Sequence, residues 1–452
     1  MEYNSCNTLE ENDKIPLGVK CENLINWLKN GDSKFKISDK LKIQEDQYDG
    51  IGLFYQNLDQ SMEDILYVPS KFLINKLTCI NFFQNKLIEH NIWNEIFNKY
   101  ININEVETSW NSFLIIILYM YIEWFCLKED ESCFHLPFFQ SLPSQKFFED
   151  NIPVLQYLQL IDLNEIETAE KIKANLNIEF ENEFLKLLKN IEFAEATLLP
   201  IFKNFEENVF LIKKRIRYLY MCINSRCLYY EIKRNNPLKE DNLTLVPLVD
   251  FINHENDENK YNSFVEVTSN INLSKQDYKL HVKKENLNSR MNELLFKYGP
   301  HNDCLLLNDY GFILNGKNDN NYLDVTDIIM NELKPWEMEY LKQIHYYKDD
   351  DQFLINSDKQ TPFFNTQLAI FVISLNLDFP NLAKVKQFAK PKQMRLTNYI
   401  KNMQGTKNYE QTLANILDKY NENIDRKLNT LKSLPKCPSS IINLMEKYYI
   451  HE

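Results

Sequence analysis

The sequence predicts an α+β protein in which a β-fold is split by a long helical insertion and followed by an all-helical C-terminal domain. Three observations carry that expectation. Short runs rich in β-branched and aromatic residues, punctuated by Gly and Pro, fill the stretches from Tyr48 to Asn75 and from Leu243 to Leu314. Between them apolar residues recur at three- and four-residue steps, and from about Val325 they do so again. At 452 residues the prior is two or three domains, and 44% hydrophobic with 25% charged residues suffices for buried cores.

The first expected element is CENLINWLKNG, where Leu24, Ile25, Trp27 and Leu28 share a helical face and Gly31 suits the position just past the helix end. YDGIGLFYQNL and DILYVPSKFLIN follow as two strands with a polar connection. From about Leu77 to Tyr230 the texture is helical, as in WNSFLIIILYMYIEWFCL and FENEFLKLLKNIEF. The longest apolar stretch, Phe113 to Ile122, falls well short of the roughly 20 residues that span a bilayer and reads as a buried helix. LTLVPLV, SFVEVTS, YKLHVKK and NELLFKYG then return as strand-like runs between Asn-rich loops. Such loops, NGKNDNN (Asn315 to Asn321) among them, are expected to be solvated. The last third is helical, most clearly at Tyr409, Leu413, Ile416, Leu417, Tyr420, Ile424, Leu428 and Leu431. No solenoid or propeller period recurs.

Charge narrows the function classes. With 51 Lys+Arg against 64 Asp+Glu the formal net charge is −13. A general nucleic-acid binder should be basic, because neutralising phosphates supplies its affinity; an acidic surface steers a basic protein partner instead. Nine cysteines, an odd number with no C-x-x-C pair, point to a reducing compartment. The start, MEYNSCNTLEENDKIP, has neither the basic beginning and apolar run of a signal peptide nor the arginines of a transit peptide.

Only eight glycines occur, and half of them sit in three motifs: Gly50 and Gly52 in DGIG, Gly299 in KYGP and Gly311 in DYGF. Glycine held at such positions implies positive φ or close backbone approach. DGIG lacks the spacing of a dinucleotide fold, and a tight turn explains it as well as a ligand does. LVPLVDFINHE is sharper, since Asp250, Asn253 and His254 follow an apolar, Pro-containing strand where amide and imidazole groups can reach a buried polar ligand. A hydrogen-bonded core histidine is the alternative. No second His or Cys stands at zinc spacing near His254, so no metal is expected. Neither a G-x-S-x-G elbow nor a phosphate-cradling G-x-x-x-x-G-K-[ST] loop occurs.

Taken in order, DGIGLF, NSRCL, PLVDFINHE, ELLFKYGPHN and DYGF resemble the SET-domain methyltransferases, in the branch typified by Rubisco large-subunit lysine methyltransferase. CFHLPFFQSLP, Cys133 to Pro143, also resembles a stretch of that branch's insertion. The resemblance covers most of the chain. It implies a split SET β-fold: residues 1–76 with the N-terminal helix and first SET half, a helical insertion at 77–224, the second SET half at 225–322, and a helical substrate-binding domain at 323–452. It further implies S-adenosylmethionine as methyl donor, a protein lysine as acceptor, and a narrow channel joining them. By that likeness Asp49, Gly50 and Ile51 line the cofactor through their backbone, Arg226 lies near its carboxylate, and Asn253 and His254 hold its amino-acid and adenine portions. The carbonyls of Ser225 and Asp250 and the hydroxyl of Tyr298 form the channel, with Tyr310 as a further wall beside the lysine. Where the family has Gly-Glu before the strand leading to this tyrosine, the chain has Asn292-Glu293, which asparagine's tolerance of the left-handed region accommodates.

The implied chemistry suits such a lining. A sulfonium methyl transferred in line is stabilised by oxygens aimed at it, and the amine attacks neutral, its pKa lowered by burial and by the sulfonium charge. Tyr298 is therefore assigned to orienting the amine and stabilising charge, and a dedicated general base is optional. The expected protein is a cytoplasmic, monomeric protein-lysine N-methyltransferase acting on a basic ribosomal protein or translation factor, without direct nucleic-acid or membrane contact, and with nuclear entry left open. Two alternatives stand beside it: a protein-histidine methyltransferase, and a SET-like binding module without activity.

Overall fold

The structure, a computed structural model, describes residues 9–45, 50–56, 65–86, 91–127, 132–229, 242–268, 276–283, 291–343, 345, 347–348, 351–375 and 406–448. The chain folds as two compact units, Met1–Asp150 with Leu188–Pro300, and Asn151–Leu187 with His301–Glu452. The boundary falls inside the expected 77–224 insertion.

In the first unit the strands that precede the insertion pair with strands that follow it. Leu66–Val68 and Tyr278–Val282 are antiparallel neighbours in a four-stranded sheet edged by Lys36–Ile37 and Ser263–Val267. Ile51–Tyr55 lies between Leu41–Glu45 and Asn292–Glu293, and Ile74–Asn75 pairs with Leu243–Leu245. Asn292 is extended, opposite Tyr55, and does not use the left-handed conformation expected of it. The ladder satisfies its backbone there, so nothing calls for positive φ.

The helices of this unit follow from local chemistry. In Leu17–Gly31, Leu24 and Leu28 are buried and the Trp27 ring packs edge-on against Phe72 at 4.7 Å. Gly31 is the helix's last residue, not the residue past its end: a Cβ there would meet the Phe72 ring at 2.8 Å, so close packing and not handedness requires glycine. Asn111 caps the buried helix Ser112–Tyr121 by accepting from the Leu114 amide. The helix runs on into a π-helical turn, Ile122–Cys126, which aims the buried Glu123 at the Trp93 indole N–H, 2.9 Å away.

The second unit is stitched by buried polar groups. Glu179 accepts from the Asp324 amide, Asn177 and the Tyr420 hydroxyl, which is why residues 151–187 group with the C-terminal part. The long helix Lys407–Ser433 buries Tyr409, Ile416, Tyr420, Ile424, Leu428 and Leu431 of the stripe read from sequence, while Leu413 and Leu417 are only half-buried. The region 323–452 is not all-helical, however. Tyr322–Asp324, Leu354–Asn356 and Thr361–Pro362 form a small antiparallel sheet whose strands are too short to show a period. The NGKNDNN loop is likewise not simply solvated: Asn318 and Asn321 are buried, each donating to the Asp303 carboxylate. Gly311 caps Asp303–Tyr310 at φ +82°, and a Cβ would meet that of Asn151 at 3.0 Å.

Candidate active site

The first unit gathers most of the singled-out polar residues at one junction of short strands. The chain bends at Gly50 and enters Ile51–Tyr55. At Gly52 an added Cβ would stand 3.0 Å from both Glu293 Oε1 and Phe54 Cε2 and 3.4 Å from Asn253 Nδ2, so the backbone passes here with no room for a side chain. The Asn253 amide nitrogen donates to Glu293 Oε1 at 2.8 Å and to the Ile51 carbonyl at 3.4 Å, which fixes the plane of the amide beside the glycine strand.

Asn253–His254 then pairs in parallel with Leu295–Phe296, Asn253 opposite Leu295 and His254 opposite Phe296. Asn262 holds the partner strand in register, its side chain donating to the Glu293 carbonyl and accepting from the Leu295 amide. Two residues beyond that strand, the Tyr298 amide donates to His254 Nδ1 at 3.0 Å. A neutral His254 ring therefore carries its proton on Nε2. The two rings lie 4.9 Å apart, and the Tyr298 hydroxyl donates to the Ile252 carbonyl at 2.8 Å.

Arg226 ends the helix Val209–Arg226. Its Nη1 donates both to the carbonyl and to the carboxylate Oδ2 of Asp250, each at 3.0 Å. The Asp250 side chain is wholly buried and its Oδ1 has no hydrogen-bond partner. Burial pushes this carboxyl up to about 6, against the opposing pull of Arg226 and of the amides at Asp250 and Leu248. The turn that carries it, Val249–Phe251, packs against Ile51–Tyr55 and is entered through Leu248 at φ 69°, a strained conformation for a branched side chain. Ser225, one residue before Arg226, returns its hydroxyl to the Met221 carbonyl.

Gly50, Ile51, Arg226, Asp250, Asn253, His254 and Tyr298 thus belong to one folded unit, with Ile51, Asn253, His254 and Tyr298 linked through hydrogen bonds and chain connectivity and the Arg226–Asp250 pair brought in by the packing of Val249–Phe251 on Ile51–Tyr55. Tyr310 belongs to the other unit, where it ends Asp303–Tyr310 with its ring 6.2 Å from that of His301. Asp49 lies outside the described residues. Glu293, noted from sequence only as the Glu of Asn292-Glu293 and given no site role there, ties Asn253 to the glycine strand, a role that becomes legible once the strands are paired. Among the described residues no three His, Cys, Asp or Glu side chains converge on a metal position, and no helix is long and apolar enough to cross a membrane.

No family model matches the sequence. Ribosomal lysine N-methyltransferase 2 of Saccharomyces cerevisiae is 38% identical over 121 residues, 25% of this chain and 24% of that protein. Ribosomal lysine N-methyltransferase set11 of Schizosaccharomyces pombe is 28% identical over 130 residues, 29% and 30% of the two chains. The similarity thus spans less than a third of either relative. Among solved structures, the SET domain of LSMT bound to lysine and AdoHcy superposes with a TM-score of 0.55 at 14% identity, covering 96% of this chain and 90% of that one. Rubisco LSMT bound to AdoMet gives 0.53 at 14% identity, with 95% and 89% covered. The chain thus shares the fold of these SET-domain structures.

Proposed function

We propose that the chain is an S-adenosylmethionine-dependent protein-lysine N-methyltransferase. The observation that carries this reading is the junction at which the Gly52 strand, the Asn253–His254 strand and Tyr298 meet, held by Asn253 Nδ2 on one side and His254 Nδ1 on the other. The strand pairings across the insertion support its description as the two halves of a SET domain.

The residues present fit the donor. Gly52 keeps the backbone bare where a Cβ would collide, Arg226 offers a cation to a carboxylate, and Asn253 and His254 offer a fixed amide and an imidazole N–H. When bound, S-adenosylmethionine supplies an electrophilic methyl group on a sulfonium. The protein's part is positioning and electrostatics. Because the Tyr298 proton goes to the Ile252 carbonyl, its phenol oxygen meets any further group as an acceptor, suited to an amine N–H or a polarised methyl and unsuited to donating to the nucleophile. The carbonyls of Ser225 and Asp250 are assigned to the same lining, the latter held by Arg226.

The names of the two yeast relatives favour a basic ribosomal protein as acceptor, and the net charge of −13 suits such a partner. We assign the chain to the cytoplasm, working as a monomer. The test is transfer of label from radioactive S-adenosylmethionine to fractionated lysate proteins, with Tyr298→Phe alongside. A labelled lysine-bearing band that disappears with the variant is expected; no labelled protein from any fraction contradicts the reading.

A further inference from the structure

The Arg226–Asp250 pair has a consequence for donor binding that the fold alone does not state. One guanidinium nitrogen serves both the carbonyl and the carboxylate of Asp250, and that carboxylate is wholly buried with its second oxygen unpartnered. Among the described residues Arg226 is the cation paired with it. Among the described residues three thiols feel the charge of Asp250: Cys222 on the arginine's own helix, Cys227 just beyond it, and Cys21 on Leu17–Gly31, where the neighbouring Lys20 is engaged with Asp13. All three are held neutral, their pKa values raised by burial. The strand packed on the turn, Ile51–Tyr55, adds one titratable side chain, Tyr55. Among the described residues no second cation is paired with this carboxylate.

Resting on the methyltransferase reading, in which the donor's carboxylate engages Arg226, we propose that donor binding is coupled to uptake of one proton from solvent by Asp250. Two carboxylates sharing one guanidinium in a desolvated site cannot both remain charged at low cost, and the buried, half-satisfied member is the one that takes the proton. The protonated acid then donates or accepts neutrally, while Arg226 turns its charge to the ligand. The Asp250 carboxyl, already pushed up to about 6 with Arg226 to itself, lies close enough to neutrality for this step to occur at physiological pH.

Calorimetric titration of the full chain with S-adenosylhomocysteine, which bears the same carboxylate and transfers nothing, counts protons when repeated at pH 7.5 in buffers of different ionisation enthalpy. The wild type is expected to take up more protons per site than Asp250→Asn, by about one-half to one. Its affinity relative to the variant should fall as pH rises from 6 to 8, by at most about tenfold per pH unit. Should the variant fold poorly, difference infrared spectroscopy of wild type carrying 13C-labelled aspartate gives the same answer: a protonated-carboxyl band appears on ligand addition. Equal proton counts, or no such band, overturn the proposal while leaving the methyltransferase reading intact. A folded wild type that binds no S-adenosylhomocysteine overturns that reading and this proposal together.

Discussion

Tyr298 and Asn253 do different work, and their substitutions should separate. Tyr298→Phe removes one hydrogen bond to the Ile252 carbonyl but keeps the ring against His254, so the fold should lose only about 1 kcal/mol. Methyl transfer should fall about 10²-fold or more, while S-adenosylmethionine affinity changes by less than about threefold, because the acceptor is misaligned and the donor is not. Parallel measurement of the rate at saturation and of the dissociation constant checks this. Gly52→Ala acts on the other side: its Cβ displaces Glu293 Oε1 and the Phe54 ring and disturbs the amide of Asn253. It should weaken donor binding and cost about 1–3 kcal/mol of stability, read by thermal unfolding with and without ligand.

Among the elements, the helix Ile178–Phe202 carries a buried acid in its first turn. Glu179 has its carboxyl pushed up to about 7, burial outweighing its hydrogen bonds from the Asp324 amide and Tyr420. A folded-state pKa above the unfolded value means that this group's stabilising effect is complete below about 4.5 and is lost as pH rises through about 7. Glu179→Gln should therefore remove a pH-dependent term of up to about 3 kcal/mol across that window, flattening the unfolding free energy between pH 4.5 and 7. An undiminished slope in the variant contradicts it. Local patterns of this kind were legible unequally. The helix Lys407–Ser433 and the strand Tyr278–Val282 announce themselves by period, since burial of one face repeats along the chain. The pairing of Asn292–Glu293 with Ile51–Tyr55 does not, because residues some 240 positions apart meet only through the fold. For the same reason Glu293, one of 64 acidic residues, gave no sign of its bond to Asn253, and the strain at Leu248 left no mark in a run of apolar residues. Asn253 and His254 stood out as a polar cluster after an apolar strand, whereas Tyr298 stood out only as a member of an ordered set of motifs.

For the molecule as a whole, a net charge of −13 would attract the basic acceptor proposed above at long range. With a basic protein acceptor, the apparent KM should rise several-fold as ionic strength goes from about 50 to 300 mM while the rate at saturation holds, since screening acts on encounter and not on the buried site. A salt-independent KM would assign recognition to apolar contacts instead. Beneath every one of these expectations lies the claim that the Gly52 strand, Asn253–His254 and Tyr298 build one donor site. Equilibrium dialysis of the full chain against labelled S-adenosylmethionine, beside Asn253→Ala with its helical circular dichroism verified, addresses that claim most directly. One saturable site per chain, lost in the variant, is the predicted result; no binding by the folded wild type, or equal binding by both proteins, would contradict it.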